Sequence, residues 1–320
     1  MKRLITVMVV CCAGVLTAAQ ERDSLLVMFW NVENFFDWTD QGTGDSDRDF
    51  SSDGVKRWTK SRFYIKCDAF AKTVIWIGDT YGQVPDVICL AEVENKGVLT
   101  RLLSATLLRK FDYDIVHQDS RDRRGIDVAL LYRKSSMSLV SSTFVTPSGI
   151  ATRDILHAEI LLSNGDTVDL VVNHHPSKYG GSEEADKMRR NVMETLKNLC
   201  DSLLGGGTGK IVAMGDFNDT PDGEQFRMMN DIMDNKGSAL HQRGEGTIRY
   251  KGKWELIDMF LTGKKTETSE MYVLRAPFLM TYDRTYPGEK PLRTFSGPRY
   301  LGGVSDHCPI LIWLYGRKIM

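Results

Sequence analysis

The chain has 320 residues, of which 42% are hydrophobic and 26% charged, and its 41 basic and 42 acidic side chains leave a net charge of −1. This composition excludes a disordered polyelectrolyte, and the balance of charge excludes a globally basic nucleic-acid binder while leaving room for a local basic patch. Beyond residue 19 the cysteines are Cys67, Cys89, Cys200 and Cys308, with no CxxC spacing, which argues against a structural zinc site and against a disulfide framework.

Lys2 and Arg3 precede the apolar run LITVMVVCCAGVL and the small residues of TAAQ. This is the three-part pattern of a secretory leader over residues 1–19, too short to span a membrane as a helix. A lipoprotein leader acylated at Cys11 or Cys12 is the weaker reading, because bulky Val10 stands where a small residue is needed. Loss of the leader removes Lys2 and Arg3 and shifts the net charge to about −3. Residues 20–320 then read as one exported domain, periplasmic or secreted, without repeats, low-complexity tracts or a later apolar span. No protein partner is expected, and the chain reads as a monomer.

LLVMFWNVENFF, residues 25–36, opens the domain as a strand. Alternation places Asn31 and Glu33 on one face and Trp30 and Val32 on the other. Taken alone, this leaves open whether the strand runs out into a polar turn or holds its polar groups for use. The acidic stretch DQGTGDSDRDFSSDG fails as a calcium loop, with Phe50 where glycine is needed and Lys56 where glutamate is needed, so it reads as a solvated loop near the mouth of a site. A helix follows over 61–80, capped by Thr59 or Ser61, and further helices are expected over 97–111 and 182–207, the last opening on Ser182 and closing in glycines. DVICLAEVE, GIDVALLYR, TVDLVVNHH, KIVAMGDFN, WELIDMFLT and HCPILIWLY are short Val-, Ile- and Leu-rich runs, as buried strands require. Segments 126–133, 136–145, 154–162 and 167–174 read as a meander. The pattern predicts an α/β sandwich of sheets packed face to face with helices outside.

These strands end in polar residues that carry chemistry. Glu92 emerges from an apolar strand, which is costly unless it is paired or bound to metal. His174 and His175 precede a loop bearing Lys178, with His175 read as the packed member of the pair. Asp216 and Asn218 stand at i and i+2 in GDFND, suited to orienting water and to donating to a phosphate oxygen. Asp258 sits in the apolar run LIDMFL, placed to orient an imidazole. Asp306 and His307 begin SDHCPI, where one can hold a hard cation while the other faces the substrate. Each motif alone could be a solvated turn or a packed core residue. There is no HExxH, GxSxG or Walker glycine loop, so zinc-protease, α/β-hydrolase and P-loop readings lack support.

WNVEN, AEVEN, GIDVALLYR, NHHPS, GDFND, LIDMFL and SDHCPI, in this order, resemble the endonuclease/exonuclease/phosphatase superfamily over nearly the whole mature chain. The resemblance implies a four-layer α/β/β/α sandwich of two mixed sheets and a Mg²⁺-dependent phosphoesterase, with Mn²⁺ as the alternative ion. It implies Glu92 as the principal metal ligand, with Asn31, Glu33 and Asp306 around the ion, and Asp216 at the attacking water. It also implies Asn218 and His307 on the phosphate, Asp258 behind His307, and His174 as a second imidazole. Arg121, Arg123, Arg124, Arg293 and Arg299 belong to loops with no assignable substrate, and exposed arginines are usually solvated. The expected activity is an exported, nuclease-like phosphodiesterase acting on nucleic acid. The alternatives are a phosphatase or phosphodiesterase for a small or lipid-derived phosphoester, which the near-neutral charge favours, and a non-catalytic binding module on the same fold, which a complete residue set disfavours.

Overall fold

The structure, a computed structural model, describes residues 24–42, 44–178, 183–207 and 209–315. The leader over 1–19 and the Ser182 cap lie outside the described residues. In the first sheet β1 (Ser24–Phe35), β2 (Val87–Val93), β3 (Tyr113–His117) and β4 (Asp127–Arg133) are joined by two late strands, β11 (Tyr272–Val273) and β12 (Ile310–Tyr315), in the order β11-β12-β1-β2-β4-β3. The second sheet contains β5 (Met137–Val145), β6 (Ile155–Leu162), β7 (Thr167–His174), β8 (Ile211–Asp216), β9 (Met233–Asn235) and β10 (Asp258–Gly263), ordered β5-β6-β7-β8-β10-β9. The β1–β2 and β7–β8 pairs are parallel and the remaining pairs antiparallel, so both sheets are mixed.

Alternation along β1 sorts its apolar residues between two cores. Val27 and Phe29 join the core shared by the two sheets, together with Leu170, Val172, Val212 and Met214. Leu26, Met28 and Trp30 face the other way onto α1 (Lys60–Tyr81), where the Trp30 ring stacks on Phe70 at 5.5 Å. Each such large side chain stabilises the fold by about 1.5–3 kcal/mol on burial. Thr59, rather than Ser61, caps α1 by accepting from the Arg62 N–H, and Gly82 ends it at φ 74°, a left-handed cap that favours glycine. α3 (Glu183–Gly206) places Val192, Met193, Leu196 and Cys200 against the second sheet, which completes the four layers. Cys67, Cys89, Cys200 and Cys308 are buried and unbonded. Among the described residues no helix is long and apolar enough to cross a membrane.

Two expectations are corrected, and a third in part. The helix expected over 97–111 is α2 (Lys96–Ala105) followed by a 3-10 turn at Leu107–Lys110. It breaks at Thr106, whose hydroxyl donates to the Leu102 carbonyl and accepts from the Leu108 N–H. The four-strand meander is split between sheets: β4 stays with β2 and β3, while β5, β6 and β7 run antiparallel in the other sheet. Asp86 holds the crossing point, taking the Arg133 N–H on its carbonyl and the Ser136 hydroxyl on its carboxylate. The acidic loop is solvated at Asp45, Asp49 and Asp53, as expected, but it is also anchored at Asp47 and Phe50. Asp47 is buried against Glu94 and accepts from the Gly42 N–H at 2.6 Å, and Phe50 stacks on Phe36 at 4.8 Å.

Candidate active site

Topology gathers the chemical residues at one rim. β1 and β2 end there in parallel, as do β7 and β8, while β10 and β12 begin there because they run antiparallel to β8 and β1. In register, His174 and Asp258 both pair with Asp216. A 3.0 Å hydrogen bond from Asn31 Nδ2 to Asp216 Oδ2 ties the rim of one sheet to that of the other. The cleft between them has a volume of about 230 Å³, and every described residue lining it is polar or ionisable.

Asp216 is the most elaborately held group. Its Oδ1 accepts the Asn218 N–H at 2.9 Å, and its Oδ2 lies 3.6 Å from His174 Nε2 and 3.8 Å from His307 Nε2. Burial, reinforced by the nearby Asp258 carboxylate, raises Asp216 to about 7. His307 Nδ1 is 2.8 Å from Asp258 Oδ2. Burial alone would discharge this imidazole, but Asp258, Asp216 and Asp306 together lift it well above the ordinary histidine range. Ser305 fixes the backbone beneath, donating from Oγ to the Asn31 carbonyl at 2.6 Å and accepting the His307 N–H at 3.0 Å. His174 is driven the other way, its pKa lowered by burial and by the charges of Arg153 and Arg124. Atoms of Asp216, Asp258 and His307 lie within 4.8 Å of one another; His307 Nδ1 is hydrogen-bonded to Asp258, and Asp216 faces Nε2 at 3.8 Å, a charge contact rather than a hydrogen bond.

The opposite wall is carboxylate and guanidinium. Glu92 Oε2 accepts the Asn34 N–H at 2.7 Å and lies 3.6 Å from Arg124 Nη2. Burial pushes Glu92 up, but Arg124, the Asn34 N–H and Arg153 outweigh it and keep the carboxylate below its ordinary value. Glu33 accepts from Arg293 at 3.2 Å and from the Thr294 N–H at 2.7 Å, and Arg293 also meets Asp306 at 2.9 Å. Burial and the Asp306 charge raise Glu33 to about 7. Glu33, Glu92 and Asp306 thus place hard carboxylate oxygens in one cleft, the donor chemistry of a divalent cation, with Arg293 bridging Glu33 and Asp306.

The structure brings Glu33, Glu92, His174, Asp216, Asn218, Asp306 and His307 to the cleft, with Asn31 and Asp258 directly behind it. Asn31 and Glu33 do not reach it by simple alternation. Glu33 has φ 45°, so the backbone has left the extended region before its side chain emerges. The Asn31 Oδ1 accepts the Glu33 N–H at 3.0 Å, and one Asn218 amide hydrogen is given to the His175 carbonyl at 2.9 Å. Lys178 pairs with Asp219 and does not line the cleft. Of the five flagged arginines, Arg124 and Arg293 line it, whereas Arg121, Arg123 and Arg299 are exposed. Sequence reasoning missed Arg153, which lines the cleft with its Nε 3.3 Å from Asp122, and Lys66, whose buried Nζ donates to the Glu33 carbonyl at 2.6 Å. A signal for Lys66 existed: it shares a helical face with Phe63, Cys67 and Phe70. Asn34, to which the sequence assigns no role, donates its N–H to Glu92 and accepts from Arg124 on its side chain.

The fold and this cleft define a phosphoester-hydrolase scaffold. Residues 26–316 match the profile of the Endonuclease/Exonuclease/phosphatase family, and the chain belongs to that family. It is accordingly a metal-dependent phosphoric ester hydrolase. An endonuclease/exonuclease/phosphatase family protein from Bacteroides thetaiotaomicron is similar in structure, 14% identical over 93% of this chain and 96% of that one, with a TM-score of 0.60. A mannosyl-6-phosphatase from the same organism is 13% identical over 91% and 99%, with a TM-score of 0.58. TDP2 of D. rerio, complexed with a single-strand DNA product, is 14% identical over 91% and 98%, with a TM-score of 0.57. No curated protein matches the chain in sequence.

Proposed function

We propose that the chain is an exported, Mg²⁺-dependent phosphoesterase that cleaves a compact, polar phosphoester by in-line attack of water on phosphorus. The observation that carries this reading is the pairing of Asp216 with the His307–Asp258 relay inside a small, wholly polar cleft that also holds Arg124, Arg153 and Arg293. Asp216, raised to about 7, is matched to taking a proton from water near neutral pH, and the Asn31 amide and Asn218 N–H aim its two oxygens. His307, kept charged by Asp258, presents Nε2 to a phosphoryl oxygen. His174, held neutral, lies on the same side, and the remaining Asn218 amide hydrogen serves the scissile phosphate. The three guanidiniums suit the non-bridging oxygens. Mg²⁺, held by Glu92 with Glu33 and Asp306 and with Asn31 behind them, would supply neutralisation of charge developing on the phosphoryl group.

The compact substrate is favoured by what lines the cleft. Among the described residues no Phe, Tyr or Trp lines it to stack a base, and the whole chain is near neutral, whereas binding to single strands ordinarily uses both stacking and clustered positive charge. A nuclease is the second reading, supported by the likeness to TDP2 with its DNA product. One panel separates them: kcat/KM with Mg²⁺ on sugar phosphates, inositol phosphates, bis-p-nitrophenyl phosphate, sphingomyelin, single-stranded DNA, plasmid DNA and RNA. Higher kcat/KM on DNA or RNA than on every small ester would overturn the substrate choice. Full activity of Asp216→Ala, or indifference to EDTA on every substrate, would overturn the chemistry.

A further inference from the structure

At the loop end of the β3–β4 hairpin, where Asp127 pairs with Val93 beside the cleft residue Glu92, a second group of chemically competent side chains converges. His117 ends β3 and pairs in register with Ala129, while Asp127 opens β4 two residues earlier on the same face, so the two are diagonal neighbours. Asp119 lies two residues past His117. One donor atom from each of His117, Asp119 and Asp127 lies within 4.8 Å of the others, with His117 Nδ1 3.7 Å from Asp119 Oδ1. The His117 side chain is only 1% exposed, yet neither ring nitrogen has a hydrogen-bond partner. Asp127 is equally enclosed, with one oxygen accepting the Ser120 N–H at 3.2 Å. Two idle imidazole nitrogens beside a buried carboxylate are costly in a packed fold unless a ligand uses them.

We propose that His117, Asp119 and Asp127 form a binding site for a divalent transition-metal ion, Zn²⁺ in the first instance, distinct from the hydrolytic cleft. A neutral imidazole and two carboxylates balance a doubly charged ion. The mixed nitrogen and oxygen set selects zinc-like ions over Mg²⁺, which the all-oxygen cleft suits instead. Zinc bonds of about 2.0–2.2 Å require donors closer than the outer spacing here, and Asp119, 76% exposed, is free of packing that would prevent its rotating inward. Burial also keeps His117 in the neutral form that ligates, lowering it to about 4. The loop between the ligands carries Arg124 to Glu92 and Asp122 to Arg153, so the ion fastens one wall of the cleft from outside.

The test is equilibrium dialysis of the whole protein against Zn²⁺, with bound metal measured by mass spectrometry, and the visible spectrum after Co²⁺ substitution. The Glu92→Gln variant, which weakens the cleft only, is expected to keep one zinc equivalent and the Co²⁺ bands. His117→Ala and Asp119→Asn are expected to bind Zn²⁺ at least about tenfold more weakly, since losing even a ligand's supporting partner costs about 10–100-fold. Asp119→Asn changes an exposed side chain and keeps the fold, so its result stands if His117→Ala is unstable. Absence of zinc uptake, uptake unchanged in Asp119→Asn and His117→Ala, or uptake lost only in Glu92→Gln would each overturn the proposal. None of these outcomes depends on hydrolytic activity.

Discussion

His175 gives the sharpest test of the packing behind the cleft. Its side chain is fully buried, its ring lies 5.1 Å from that of Phe217, and neither nitrogen has a partner. Burial, with the charges of Arg189 and Arg153 behind it, lowers its pKa from 6.5 to about 3. A base whose folded pKa is depressed contributes its full stability above the unfolded value and loses it as the pH falls, because the unfolded chain takes up the proton first. At about pH 5 the unfolded state holds almost one proton more at this position. The linkage integral from about pH 7 to pH 5 is then about 2 kcal/mol of lost stability. His175→Leu keeps the backbone N–H that bonds the Asp216 carbonyl at 2.8 Å and removes the titration. Urea unfolding of both proteins across this range should therefore give stabilities that converge, or cross, by about 2 kcal/mol as the pH falls. The other histidines act in both proteins and cancel. Parallel curves would refute the reasoning, because they would mean that the ring is not held neutral in the fold.

Asp258→Asn removes the anion that keeps His307 charged; kcat/KM on the best panel substrate should fall about 10²–10⁴-fold, with the alkaline limb of its pH profile displaced downward. An unshifted limb would assign Asp258 a purely structural role. Arg124→Lys keeps the charge but loses the planar fork 3.6 Å from Glu92, so KM should rise roughly 10- to 100-fold, the equivalent of one hydrogen bond to a charged group. Removal of divalent ions with EDTA should abolish turnover, and Mg²⁺ should restore it. The same titration should raise the unfolding free energy by about 2.7 kcal/mol at a hundred times Kd, an increment that Glu92→Gln should lose.

Much of this molecule was legible in its sequence because the signals were local. The six apolar runs became β2, β4, β7, β8, β10 and β12, and the Asp216, Asp258 and His307 cluster followed once their strands met at one rim. What escaped depended on contacts between distant segments. Nothing in the period of 126–145 tells whether β4 and β5 share a sheet, because that is decided by Asp86, 50 residues before Ser136. Asp47 looked solvated because its stretch is acidic, and only the fold sets Glu94 beside it. Arg153 carries no local signal, because its place depends on the β3–β4 loop bringing Asp122 to its Nε.

The failures of alternation at the site have a common cause. Glu33, Asn34, Glu92 and Asn218 have φ of 45°, 48°, 65° and 49°, and all four line the cleft. For residues other than glycine this left-handed backbone costs on the order of 1–3 kcal/mol, somewhat less for asparagine, and persists only where surroundings over-determine it. Here they do: Lys66 grips the Glu33 carbonyl, Thr294 and Arg293 hold its carboxylate, and the Asn34 N–H is fixed on Glu92. The β1–β2 register slips between Asn31 and Phe35, and the β2–β4 register between Leu90 and Val93, at these same turns. An extended β1 would keep Glu33 on the face of Val27 and Phe29, inside the core shared by the sheets, where an unpaired carboxylate is least tolerable. The left-handed turn carries it out to the cleft. Glycine at 33 or 92 would relieve the strain but delete the carboxylate, so the residue that must bend the backbone is also the one that must supply the oxygen. The buried Lys66 is the counterpart of that constraint, a charged clamp in an otherwise apolar helix face that offsets strain generated one strand away.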